Sequence, residues 1–257
     1  MTVIWIICAT LSAGFISISA AATLSFKLLG AMIENMVSFS VGILLATAFL
    51  HALPEAFSSS NTTPSKLFAL LLGGILFFFV LEKIALLRHN HHHEGDGHNH
   101  HVGHDAQEAG KSGWMILVGD GVHNFVDGVL IAAAFIANPE VGILTAMAII
   151  AHEIPQEIGN FMVLLNAGFS KRRALFYNFI CGSLAVVGGM LGYLFLEQAQ
   201  NMIAYLLVFA SSSFIYIAVS DLMPQMNQRL QLRDFFKQFF LILLGVGMVL
   251  GLSVWQG

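Results

Sequence analysis

Eight apolar segments take up most of this chain, at approximately 3–26, 36–57, 66–88, 113–136, 141–165, 172–196, 202–223 and 236–255. A helix of about 20 apolar residues is long enough to cross the hydrocarbon layer of a bilayer. Every one of these segments meets that length. Charged residues make up only 10% of the chain and apolar residues 57%, whereas soluble domains are about 25% charged. A water-facing globule is therefore excluded, and the lipid bilayer is the expected surroundings. The net charge of −4 gives no footing for nucleic acid. Cys8 and Cys181 both fall in apolar segments and form no CxxC pair, so they read as buried, inert thiols. No Lys or Arg precedes the first segment, which is also longer than the apolar core of a signal peptide. It reads as a spanning helix.

The expected fold is thus an all-α integral membrane protein with eight transmembrane helices, forming a single domain over 1–257. Of eleven basic residues, ten fall on one set of alternate loops or span ends, from Lys27 to Lys237, and only Lys66 falls on the other. The positive-inside rule then puts both termini outside and the long connection 89–112 in the cytosol. That connection is rich in His, Asp, Glu, Gly and Asn. Such a composition builds no core, so the segment reads as a disordered, metal-collecting loop.

An echo links two distant spans. The second ends in Ala46-Thr-Ala-Phe-Leu-His-Ala-Leu-Pro-Glu55 and the seventh in Ser213-Phe-Ile-Tyr-Ile-Ala-Val-Ser-Asp-Leu-Met-Pro-Gln225. Aligned on their prolines, His51 matches Asp221 and Glu55 matches Gln225. Spans 1–3 and 6–8 enter the membrane from opposite sides. They read as an inverted repeat around the central pair 4–5, a layout that transporters use to build a site near the midplane.

The central pair carries the chemistry. On the fourth span Asp120, His123, Asn124 and Asp127 share one helical face. On the fifth, His152, Glu153, Gln156, Glu157 and Asn160 form one broad stripe. A charge at the bilayer centre costs at least about 2.5 kcal/mol, so the four carboxylates here would cost roughly 10 kcal/mol if nothing compensated. Both stripes stand near mid-span, and the short connection at Asn138-Pro139 makes the helices antiparallel. They therefore meet at one depth. Imidazole with carboxylate suits Zn²⁺ and similar divalent ions, with Cd²⁺, Fe²⁺ or Mn²⁺ as alternatives. His123 and Asp127 can grip an ion, with His152 and Gln156 closing it from the other helix. Asn124 and Glu153 can build a neighbouring site. Pro155 frees the carbonyl of Ala151 in mid-span, and such a group needs a protein or water partner. His51 and Glu55 can line the way in, and Asp120, Asn160 and Asp221 the way out. The glycines of the fourth to sixth and eighth spans read as helix-packing positions.

The motifs His123-Asn-Phe-Val-Asp-Gly128 and His152-Glu-Ile-Pro-Gln-Glu-Ile-Gly159 resemble those of the ZIP (Zrt/Irt-like protein) family of divalent metal transporters. The likeness is greatest to the branch with HExPHExGD on the fifth span. Leu53-Pro-Glu55, the eight spans and the His-rich third loop fit as well. The resemblance implies metal uptake into the cytosol, no enzymatic cofactor, and a paired site. His123, Asp127, His152 and Gln156 would form one half of that site. Asn124, Asp127, Glu153 and Gln156 would form the other. It also implies a metal-bearing helix pair that moves against a scaffold, often in a homodimer. Three departures stand out. Gln156 replaces His or Glu, with Glu157 as a substitute ligand; Asn160 replaces Asp; and no carboxylate stands near Ala185 on the sixth span. A compact bacterial version, in the cytoplasmic membrane, is the expected source. Two other readings compete. His152-Glu-Ile-Pro-Gln156 begins like the HExxH of zinc proteases but lacks the second His. Export or sensing of metal would use the same stripe.

Overall fold

The computed structural model describes residues 1–23, 26–90, 104–226 and 232–256, and all their regular elements are helical. The helices are α1 (Thr2–Thr23), α2 (Phe26–Ala46), α3 (Leu53–Ser59), α4 (Pro64–Asn90), α5 (His104–Ala137), α6 (Pro139–Asn166), α7 (Lys171–Leu196), α8 (Ile203–Tyr216), α9 (Met223–Met226) and α10 (Leu232–Gln256). Seven stretches among the described residues are long and apolar enough to span a membrane. The eight expected spans are all present as helices. However, α6 falls outside that seven although it has 28 residues, because its polar stripe interrupts the apolar sequence. The chain is an all-helical integral membrane protein, with seven spans established by length and composition.

One expectation changes at the ends of elements. The loop expected over 89–112 is helical at both ends, since α4 runs to Asn90 and α5 begins at His104. Good helix formers such as Ala106, Gln107, Glu108 and Ala109 let the helix propagate beyond the apolar stretch. The centre of the loop, 91–103, lies outside the described residues. At the other end of α6 the chain turns tightly at Gly168, whose φ is +86°. The Phe169 amide donates to the Leu164 carbonyl and the Gly168 amide to that of Leu165, both at 3.0 Å. This pattern closes a helix and needs the left-handed region. At the start of α6, the Asn138 side chain accepts from the Glu140 amide at 2.8 Å, with Pro139 in the first turn. These two signals set the antiparallel pairing of α5 with α6 and of α6 with α7.

The echo between spans two and seven has a structural counterpart. A π-helical turn occupies Thr47–Ala52 and another Ile217–Leu222. In the first, the Leu53 amide donates to the Ala48 carbonyl. In the second, the Met223 amide donates to that of Ala218. Both donors immediately precede a proline, Pro54 or Pro224, which has no amide hydrogen and crowds the preceding turn. The helix widens in the same register in both places. π-turns are rare and cluster at functional sites.

Packing repeats the same relation. α10 lies on α2 as α4 lies on α8, α5 on α7 as α6 on α1, and α6 on α2 as α5 on α8. Exchanging the first three spans for the last three, and α5 for α6, returns the same set of neighbours. α4 and α10 are the outermost helices, with Leu72, Leu76, Phe77, Phe236, Phe240 and Leu243 exposed. Such faces are stable only against lipid or another apolar surface. Cys8 is exposed on α1 rather than buried, and Cys181 is buried.

The closest approach is between α5 and α7. A Cβ added at Gly128 would collide with the Ala185 carbonyl, and one at Gly188 with the Phe125 carbonyl. Small residues here bring two backbones together, as expected within membranes. Not every glycine expected to pack does so. Gly119, Gly159, Gly247 and Gly251 have no such neighbour.

Candidate metal centre

Midway along α5 and α6, four side chains converge. His123 and Asp127 come from α5, His152 and Glu153 from α6, and one ligand atom from each lies within 4.8 Å of all the others. His123 Nε2 is 3.3 Å from His152 Nε2, 3.6 Å from Asp127 Oδ2 and 3.3 Å from Glu153 Oε1. His152 Nε2 is 3.3 Å from Asp127 Oδ2 and 3.9 Å from Glu153 Oε1. Four ligands at Zn²⁺ bonding distance stand at the corners of a tetrahedron with edges of about 3.3 Å. The five separations run from 3.3 to 3.9 Å, at or somewhat above that edge.

Burial and hydrogen bonding point the same way. Asp127, His152 and Glu153 are at most 2% exposed. Asp127 Oδ2 and Glu153 Oε1 have no hydrogen-bond partner, and the ion pairs they make are with imidazoles. His152 Nδ1 lies 3.0 Å from the Ala148 carbonyl. A carbonyl only accepts, so Nδ1 carries the hydrogen and Nε2 presents its lone pair to the cluster. That orientation is the one metal-binding histidines adopt. Two buried carboxylates face two imidazoles here, a donor set whose negative charge a divalent cation would neutralise.

The freed carbonyl of Ala151 has found a donor. Ser40 Oγ on α2 donates to it at 2.5 Å, and both residues are buried. Pro155 therefore creates an attachment point between the ligand-bearing α6 and its neighbour α2. Replacing Ser40 by alanine should strand that carbonyl and cost about 1–3 kcal/mol. The expected result is a lower midpoint of thermal unfolding in detergent, with Ser40→Thr retaining most of the wild-type value.

The other candidate residues distribute differently from their sequence grouping. Glu153, assigned to the neighbouring site, stands with the two histidines. Gln156, expected in both halves of the paired site, has its Nε2 3.5 Å from Asp120 Oδ1. Asn160 Nδ2 donates to the same oxygen at 2.8 Å. Asn124 Nδ2 donates to the Asp120 carbonyl at 3.2 Å and is 3.4 Å from Oδ1. Glu157 is buried beyond them. His51 does not pair with Glu55. Its Nδ1 is 3.7 Å from Glu140 Oε1 at the start of α6, and Glu55 is only partly buried. The side chain of Asp221 lies outside the described residues, although its backbone is part of the second π-turn. Glu140, Ser40 and Asn178 were not singled out in the sequence. Only for Ser40 was there a signal, the orphaned carbonyl that had to be met by some donor.

Comparison with known proteins follows this geometry. The family model described as ZIP Zinc transporter matches residues 1–108 and 85–253. "Zinc transporter foi" of Drosophila melanogaster is 39% identical over 145 residues, covering 56% of this chain and 20% of that protein. "Zinc transporter ZIP10" of Danio rerio is 36% identical over 150 residues, covering 56% of this chain and 18% of that protein. "Metal cation symporter ZIP14" of Bos taurus is 37% identical over 158 residues, 58% of this chain and 32% of that protein. The chain thus spans a third or less of the length of these relatives. All three are animal proteins, so they lend no support to the expected bacterial membrane or to the direction in which the termini face.

Proposed function

The chain belongs to the ZIP zinc transporter family, and from that membership we propose that it carries divalent metal, Zn²⁺ foremost, across a membrane through the centre between α5 and α6. The observation that carries the proposal is the convergence of His123, Asp127, His152 and Glu153 within 4.8 Å of one another. Two imidazoles in that set favour Zn²⁺ over Mg²⁺ or Ca²⁺. Cd²⁺, Fe²⁺ and Mn²⁺ are the further candidates as cargo.

In this reading the ion arrives by way of His51 and its partner Glu140, with Glu55 nearby. It sheds water as the two histidines and two carboxylates take over its coordination. Asn124, Gln156, Asp120, Glu157, Asn160 and Asp221 line the way onward. Orientation rests on the ten basic residues at one set of loops, which place the His-rich segment and the exit in the cytosol and the chain's ends on the opposite face. The segment around 91–103 would gather metal there. The eighth span is α6 itself, made tolerable in the membrane by the ion it holds. A homodimer completes the proposal, supported by the family resemblance alone. Enzymatic action is not part of it. The relatives are named as transporters, and Gln156 does not join the histidines as the HExxH arrangement requires.

The deciding experiment uses the purified chain in sealed vesicles loaded with a zinc-sensitive dye. Outside Zn²⁺ should raise the dye signal far faster than in protein-free vesicles. Rates equal to protein-free vesicles for Zn²⁺, Cd²⁺, Mn²⁺ and Fe²⁺ alike would overturn the reading.

A further inference from the structure

Just over one helical turn beyond the four-ligand centre, toward the end of the bundle where α6 meets α7, a second group of buried oxygens has no donors. Asp120 on α5 is 5% exposed, Glu157 on α6 is 1% exposed, and Asn178 on α7 is fully buried. Asp120 Oδ1 is well supplied by the amides of Asn160, Gln156 and Asn124. Its other oxygen, Oδ2, has no partner, and neither do both carboxylate oxygens of Glu157 and the Oδ1 of Asn178. The Asn178 amide nitrogen donates to the Glu157 backbone carbonyl at 3.2 Å, which fixes that side chain beside Glu157. The Glu157 carboxylate is within electrostatic reach of Asp120 and beside the Asn178 side chain. The Cys181 thiol stands beside Asp120, with Sγ donating to the Leu117 carbonyl at 3.3 Å.

Four acceptor oxygens on three helices are thus buried without hydrogen-bond partners in this part of the bundle. Leaving one such group unpaired costs about 1–3 kcal/mol, more if charged. A donor side chain would satisfy some of them, but a cation satisfies all at once. We propose that Asp120, Glu157 and Asn178 form a second cation site, built of oxygen alone, that receives the divalent ion after it leaves the histidine centre. This inference rests on the transport reading for its role, and it places Glu157 in a separate site with Asp120 and Asn178 rather than as the substitute ligand of the paired site.

The chemistry of the two stations differs in a useful direction. Imidazole nitrogen holds Zn²⁺ and its neighbours firmly, whereas carboxylate and amide oxygens suit harder ions such as Mn²⁺ and Mg²⁺. An ion such as Zn²⁺ is therefore held less tightly at the second station. The two stations are about 7 Å apart along the helix axes, at a rise of about 1.5 Å per residue. An ion can pass between them without entering water.

Mn²⁺ is the probe. In the full chain carrying His123→Ala and His152→Ala, one Mn²⁺ per chain should bind. Its pulsed electron paramagnetic resonance spectrum should lack the nitrogen modulation that coordinated imidazole produces. The wild-type chain, its histidine centre first saturated with Zn²⁺, should bind one Mn²⁺ with the same signature, a measurement that does not depend on the double variant folding. Glu157→Gln in either background should weaken this binding by about tenfold or more, as loss of a charged ligand does. No Mn²⁺ binding in both backgrounds, or imidazole nitrogen in the spectrum, overturns the site. Zn²⁺ uptake into vesicles by the wild-type chain alongside either of those results would overturn the second site alone and leave the transport reading standing.

Discussion

Replacing His123 and His152 together by alanine should reduce Zn²⁺ uptake to the level of protein-free vesicles. The two imidazole nitrogens supply two corners of the set, and they are only 3.3 Å apart, so one ion uses both. Disturbing a partner of a metal ligand already costs about 10–100-fold in affinity. Removing two ligands outright should cost more. Binding can be read separately from movement. A ligand that binds only the folded state at 100 times its dissociation constant stabilises it by about 2.7 kcal/mol. Zn²⁺ should therefore raise the unfolding midpoint of the wild-type chain in detergent. It should raise that of the double variant much less. Wild-type uptake in the variant would mean that the ion travels elsewhere in the bundle.

Gly188→Val is expected to have the largest effect on the fold. The new side chain would meet the Phe125 carbonyl on α5, a backbone atom that cannot swing aside. Overpacking of this kind costs typically about 1–3 kcal/mol, occasionally more. Here the upper end is expected, because Gly128 is pressed as closely against the Ala185 carbonyl on α7 and leaves the two helices no room to part locally. Phe125 lies between His123 and Asp127, so any displacement of α5 also opens the ligand set. Little monodisperse protein should elute from size exclusion. Gly247→Val, on a face with no neighbour within 4 Å, should elute as wild type. Equal behaviour of the two variants would refute the close packing of α5 on α7.

Much of this architecture can be read from sequence because a bilayer asks for so little. A helix that crosses it needs length and apolarity, and both are counted directly. The stripe on α5 was legible for the same reason, as residues three and four apart share a face. The arrangement on α6 was only partly so. His152 and Glu153 are adjacent and point about 100° apart, yet the longer Glu153 side chain reaches back to the same point. Gln156, one turn further on, falls on the side of Asp120. Periodicity gives the face of a helix but not the reach of each side chain across it. Contacts between distant helices were less legible still. His51 with Glu140, and Asn178 with Glu157, depend on which helices pack together and at what height. The orphaned Ala151 carbonyl was an exception. It announced that a donor must exist, though not that Ser40 would be it.

The exchange of first and last spans leaves the neighbour relations of this bundle unchanged. Turning such a molecule over gives nearly the same molecule. In the proposed transport, a tilt of α5 and α6 toward one face would have a counterpart, related by rotation, toward the other. The two widened turns before Pro54 and Pro224 occupy equivalent places and give both movements a similar hinge. In the transport proposed above, such a bundle offers the ion two related openings, one toward each face of the membrane.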